Sequence, residues 1–273
     1  MLPVLINFGF IKIYTFGFFL VLGFFWGLFL LWKNIRLTSF KEEEIFDTVF
    51  LSIISGLFFS RLFYVILNFS DFGFNILKFI LINGYPGLSI YGFIFGFFIF
   101  SFYYLSSKKI NFFQAVDYFI SPLFLVLTLG KIGSFFSGEE VGTITTFFLK
   151  TKYLGFSGDR HLTAVYEGIL FFFGCYLAQK LVFEIRKERL FNGFLFVFSL
   201  WYFSLVYLIF DRLKEIKFYL LKTSFNYLVS LVLFLTTTSY FVYYFRKQIM
   251  GGIKNYGKKI IKTVNQGFKR KTN

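Results

Sequence analysis

Seven apolar runs, each long enough to cross a lipid bilayer, set the terms on which this chain can fold. They lie at about 12–32, 45–68, 87–106, 112–137, 163–183, 191–211 and 225–245. A bilayer's hydrocarbon core is about 30 Å thick, which takes about 20 helical residues to span. Within the runs apolar residues follow one another without period-two alternation, so each run satisfies its backbone as a helix and not as a barrel strand. Composition agrees: 57% of the 273 residues are hydrophobic and 26% aromatic, 49 of them Phe. That is more apolar side chain than one water-facing fold of this length can bury. The expected fold class is all-α, a polytopic membrane protein with about seven transmembrane helices. Two regions follow: a seven-helix membrane domain at 1–245 and a basic polar tail at 246–273. The first run has only Lys12 before it and no small-residue cleavage site, so it is expected to be a retained helix.

Charge orients the helices. Lys33, Arg36, Lys41, Lys108, Lys109, Lys180, Arg186, Lys187 and Arg189 fall on one side, with nine more cations from Arg246 to Lys271 in the tail. Lys12, Lys78, Lys150, Lys152, Arg160, Arg212, Lys214, Lys217 and Lys222 fall on the other. The richer side is expected to be cytoplasmic, with the N-terminus outside and the C-terminus inside. A net charge of +15 can indicate nucleic acid, but here the cations sit between apolar runs and in the tail, which suits anionic headgroups; membrane lipid and no nucleic acid is the expectation. Cys175 is the sole cysteine and His161 the sole histidine, so neither an internal disulfide nor a zinc site is expected.

Unusual polar groups collect at one end of the runs. Lys131 is the most telling, because a lysine at a helix centre costs about 2.5–3.5 kcal/mol on insertion and persists when it faces a cavity, a partner or a substrate. Near the same level lie Ser134, Ser137, Gly138, Glu139 and Gly142, then Ser89 and Tyr91, then Arg160, His161, Thr163, Tyr166 and Glu167, with Arg61 in the second run. Plainer readings stay open: Arg61 snorkelling to the interface, Thr163 as a helix cap, Glu167 answering a helix N-terminus, Tyr91 as an interfacial aromatic, His161 as a rim residue. Gly92 and Gly96 suit close helix contact, and Asp117, at the opposite end of the fourth run, suits a structural role. Lys131 and Glu139 lie on similar faces if the helix continues through Gly138. Cations at a membrane interface, among small residues with free backbone N–H groups, suit a lipid phosphate. No nucleotide-phosphate loop or serine-nucleophile elbow is present.

These motifs resemble those of the bacterial prolipoprotein diacylglyceryl transferase family over most of residues 10–215. The resemblance rests on Ile13-Tyr14-Thr15-Phe16-Gly17, Ser60-Arg61-Leu62-Phe63-Tyr64-Val65, Gly87-Leu88-Ser89-Ile90-Tyr91-Gly92, Gly130 to Glu139 with the following Gly142, and Arg160-His161-Leu162-Thr163-Ala164-Val165-Tyr166-Glu167. It implies a cytoplasmic-membrane enzyme without a cofactor, facing the outer leaflet. Such an enzyme moves a diacylglyceryl group from phosphatidylglycerol to the lipobox cysteine of a prolipoprotein. It implies catalytic roles for Tyr91, Lys131, Glu139 and His161, and substrate contacts for Arg61, Ser89, Ser134, Gly138, Gly142, Arg160, Tyr166 and Glu167.

The chain departs from the family pattern in several places. Tyr91 stands at the family's histidine, Lys131 at its arginine, and Ser134 and Ser137 at its asparagines. At pH 7 an ordinary histidine is neutral in about three quarters of molecules, whereas an ordinary tyrosine is phenolate in about one in a thousand. Lysine keeps the charge of arginine but loses its planar fork. A family member that binds lipid or precursor without catalysis is therefore an alternative. A transporter or channel is another, supported only by Asp117 and the Thr236-Thr237-Thr238 run, and no internal repeat favours it.

Overall fold

The structure is a computed structural model, and it describes residues 2–9, 12–81, 84–215, 219–220 and 223–269. In chain order the elements are β1 (Val4–Asn7), β2 (Lys12–Tyr14), α1 (Thr15–Ile35), α2 (Glu42–Leu67), α3 (Phe69–Phe72), α4 (Ile76–Ile80), α5 (Ile90–Ser107), α6 (Phe112–Ser137), β3 (Lys150–Thr151), β4 (Arg160–His161), α7 (Thr163–Arg186), α8 (Phe194–Phe210), a 3-10 turn (Asp211–Leu213), β5 (Tyr219–Leu220), β6 (Thr223–Ser224) and α9 (Phe225–Lys269). Among the described residues, seven helices are long and apolar enough to cross a membrane, each within a few residues of an expected run. The protein is an all-α, multi-pass membrane protein. Its strands form three two-stranded antiparallel pairs, β1 with β2, β3 with β4 and β5 with β6.

Burial is inverted relative to a water-soluble protein. Thr48, Ser52, Ser101 and Ser121 are fully buried, while Phe25, Ile54 and Phe172 are exposed along the helices. Lipid is as apolar as these side chains, so the spans associate through small residues and hydroxyl hydrogen bonds instead of hydrophobic burial.

The chain divides into two compact units, residues 1–140, 152–157 and 164–196 in the first and 141–151, 158–163 and 197–273 in the second. In the first unit α1 lies on α6, where Gly27 meets Val126 and Gly133 meets Phe19 so closely that a methyl group at either glycine would lie 2.7 Å from its neighbour. Gly92 and Gly96 of α5 seat against Phe59 of α2 in the same way. Ser52 and Ser101 hydroxyls pair at 2.8 Å, and Ser55 donates to the Gly96 carbonyl at 3.1 Å. Asp117 is structural: its carboxylate accepts from the Gly193 and Phe196 N–H groups, at 2.7 and 3.2 Å, where α8 begins. Asn34, Ser121 and Gln179 form a second buried polar link.

In the second unit, residues 141–145 run between two neighbours. Thr145 N–H donates to Asp159 and His161 N–H to Thr143, while on the other edge Thr143 N–H donates to Leu213 and Glu215 N–H to Val141, all at 2.8–3.1 Å. Trp201 donates its indole N–H to Thr238 at 3.0 Å, joining α8 to α9. The seventh span, Phe225–Lys247, does not stop at its polar end, because α9 continues to Lys269 through most of the segment expected as a tail. Residues 270–273 of that tail lie outside the described residues.

Candidate active site

The first unit places Lys131 within α6, where it is only 7% exposed. Helix α6 ends six residues later, at Ser137, because Gly138 turns into the left-handed region at φ +79°, a conformation other residues adopt at a cost. The N–H groups of Gly138 and Glu139 both return to the Ser134 carbonyl, at 3.1 and 3.2 Å. The helix therefore does not carry Glu139 onto the face of Lys131. The reversal brings the next residue back instead, and Glu140 Oε1 contacts Lys131 Nζ directly. From α7, Glu167 Oε2 reaches the same nitrogen at 2.5 Å. Gly168 packs next to Lys131, where a methyl group would lie in ordinary contact, 3.4 Å from the Lys131 Cβ.

Two carboxylates thus meet one ammonium. Glu167 is fully buried, whereas the Glu140 side chain is 26% exposed. Partial burial and the adjacent charge of Glu140 push the Glu139 carboxyl above the ordinary range, and the Ser137 hydroxyl opposes them. Tyr153, nearly buried, has its phenol pushed up to about 12 by burial, with the charges of Glu140 and Tyr166 adding to the effect. The phenol keeps its proton at neutral pH. Tyr153 and Glu140 were not picked out from the sequence: each is a common residue in a loop, with no periodicity to mark it.

A second buried cation of the same unit, Arg61 on α2, is answered by neutral groups. Its Nε, Nη1 and Nη2 donate to the carbonyls of Phe79, Gly87 and Lys78 at 2.9, 2.9 and 2.7 Å. The Phe72 ring lies 5.0 Å from the guanidinium carbon. Arg61 does not snorkel: it is 3% exposed and clamps the α2–α5 connection. Gly87, at φ +146°, leaves room for Tyr64, whose ring would lie 2.0 Å from any Cβ placed there. Ser89 caps α5 by accepting from Gly92 N–H at 3.4 Å, and its own carbonyl accepts from the Ser60 hydroxyl at 2.9 Å. Tyr91 follows in the first turn of α5, half-buried, as is Tyr166 in α7. Ser134 is buried in α6.

In the second unit Arg160 is buried in β4 and donates through Nη1 to the Gly142 carbonyl at 3.0 Å, with Glu215 Oε2 at 3.2 Å from the same nitrogen. Gly142 admits no side chain, since a Cβ would fall 2.3 Å from the His161 carbonyl oxygen. The structure therefore brings Arg160, His161 and Gly142 together, and adds Glu215, which lies far away in sequence. His161 is half-buried, and its ring centroid is 6.2 Å from that of Phe147.

A buried ammonium and a buried guanidinium, each with a carboxylate partner, can engage anionic substrate groups by exchanging partners. Comparison with known proteins identifies the family. The family model described as prolipoprotein diacylglyceryl transferase matches residues 3–243. The phosphatidylglycerol–prolipoprotein diacylglyceryl transferase of Clostridioides difficile (strain 630) is 27% identical over 183 residues, 67% of this chain and 71% of that protein. That of Clostridium botulinum (strain Loch Maree / Type A3) is 26% identical over 249 residues, 88% of this chain and 96% of that protein. That of Fusobacterium nucleatum subsp. nucleatum is 31% identical over 143 residues, 52% of this chain and 49% of that protein. With seven membrane-length helices, the glycine-flanked Lys131 signature and a match across nearly its whole length, the chain belongs to the prolipoprotein diacylglyceryl transferase family.

Proposed function

We propose that this protein transfers a diacylglyceryl group from phosphatidylglycerol to the lipobox cysteine of a prolipoprotein. The cysteine sulfur forms a bond to the terminal glyceryl carbon, the bond from that carbon to the phosphate oxygen breaks, and glycerol 1-phosphate leaves. The thiol proton is released in the same exchange. The nucleophile belongs to the substrate, so the enzyme's work is to hold the phosphate, favour the thiolate and stabilise charge on the leaving group.

The observation that carries this reading is the buried Lys131 in the matching signature, held between Glu140 and Glu167. We assign Lys131 to the phosphate and Glu167 to holding Lys131 in place. Arg61 is assigned a positioning role through the segment it clamps. On the family motifs, Tyr91, Glu139 and His161 are assigned catalytic roles, and Ser89, Ser134, Gly138, Gly142, Arg160 and Tyr166 are assigned to substrate contacts. The lysine and arginine bias supports insertion in the bacterial cytoplasmic membrane with the N-terminus outside, the C-terminus inside and the chemistry at the outer leaflet.

Tyr91, at the family's histidine position, favours a second reading in which the protein binds lipid or precursor without turning it over. The test is conversion of a lipobox peptide to its thioether-lipidated form by purified protein and phosphatidylglycerol vesicles, beside an active relative. Product formation supports the transferase. Its absence, with the relative active, overturns it in favour of the binding role.

A further inference from the structure

The two carboxylates on Lys131 are not equivalent. Glu167 is fully buried on α7, next to Gly168, which packs near Lys131. Glu140 lies outside any helix, two residues past the left-handed turn at Gly138, with its side chain 26% exposed. One limb sits in a packed helix and the other in a partly exposed connecting segment. A carboxylate oxygen and a phosphate oxygen are alike as acceptors for an ammonium group. Lys131 and Glu167 make one buried pair, and Glu140 occupies another side of the same ammonium, where an anion would bind. Glu139, the preceding residue, sets a further carboxylate beside it, and like charges side by side repel.

We propose that Glu140 is an internal anion that occupies Lys131 until a phosphate-bearing substrate displaces it. When it leaves, the Lys131–Glu167 pair remains and the phosphate takes the vacated side of the ammonium. Glu140 thereby lowers the affinity of the resting site for phosphate and for the leaving glycerol phosphate, which favours product release. This rests on the transferase reading for the identity of the anion.

The test uses full-length protein in detergent micelles, with E140Q, E140D, K131M and the K131M/E140Q double variant. Glycerol 1-phosphate binding is followed by calorimetry, and phosphatidylglycerol turnover is followed in parallel. E140Q is expected to tighten glycerol 1-phosphate binding and lower KM by about 1.5-fold to fivefold, the range for a partly exposed ion pair. E140D, which keeps the charge, should stay close to the parent. In the K131M background the E140Q change should have no further effect, because the ammonium it competes for is gone. Unchanged or weaker binding in E140Q overturns the proposal, and so does equal tightening in the K131M background, which would mark a long-range charge effect. Retained helical circular dichroism and melting temperature in E140Q establish that the variant is folded. If the parent makes no lipidated product while E140Q still tightens glycerol 1-phosphate binding, the transferase reading falls and the role of Glu140 stands.

Discussion

Arg61 and Lys131 are both buried cations on membrane helices of the same unit, yet their surroundings answer them in opposite ways. Arg61 is held by three backbone carbonyls. Lys131 is held by two carboxylates. Carbonyl dipoles satisfy the guanidinium without cancelling its charge, and they belong to α4 and the segment that follows it, which the arginine itself holds in place, so the arrangement is architectural. Carboxylates cancel the ammonium charge, and one of them, Glu140, lies outside any helix and is partly exposed, so the arrangement can exchange partners. Burial alone does not separate a clamp from a site; the kind of acceptor does.

Removing each cation tests this contrast most directly. K131M is expected to lower turnover by about 100- to 1,000-fold, the usual cost of losing a preorganised charge at a reacting centre, and K131R should recover part of it. K131M also strands buried Glu167, which destabilises by about 3–5 kcal/mol. The K131M/E167Q pair should regain most of that stability in thermal unfolding without regaining turnover. R61A should show the reverse profile, losing about 3 kcal/mol of stability or more as three carbonyls lose charged donors, while the folded fraction keeps turnover within about tenfold. If R61A stays stable but inactive, Arg61 belongs with Lys131 and the contrast fails.

Smaller effects sharpen it. G87A puts a methyl group into the Tyr64 ring at a backbone angle that glycine alone adopts readily, and should cost about 1–3 kcal/mol of stability. Its KM should be nearly unchanged, because the clamp serves the fold. Y153F tests the loop beside Glu140. The Tyr153 phenol titrates near 12 in the folded protein, against about 10 when unfolded. A raised value means the folded state holds its proton more tightly, so this contribution is complete below pH 10 and fades as the pH rises to about 12. Chemical unfolding of Y153F should lack that alkaline component and match the parent's pH dependence between 7 and 9. The smallest effect is expected for E139Q. Glu139 has a raised value, so ionising it opposes folding above the ordinary carboxylate range. E139Q should therefore be slightly more stable than the parent at pH 7, and the difference should vanish in acid.

The parts of the molecule legible in the sequence are those governed by local physics. An apolar run of about 20 residues partitions into hydrocarbon whatever its neighbours do, so the seven spans could be placed to within a few residues. Gly92 and Gly96 advertised close contact by their spacing, and α5 meets α2 there. Lys131 stood out because a lysine among apolar residues is costly unless something answers it. The continuity of α9 was hidden, since the polar composition after 245 suggests a separate tail while the backbone stays helical to Lys269.

Sequence alone determined the number of membrane helices, the family motifs and the residue whose charge has to be explained, because each depends on composition or spacing along the chain. Tertiary structure alone decided who answers that charge. The left-handed turn at Gly138 hands Lys131 to Glu140 in place of Glu139, α7 supplies Glu167, and a loop 55 residues beyond Arg160 supplies Glu215. The reason is physical: an ion pair between side chains depends on separations of a few ångströms, and only the folded backbone sets those.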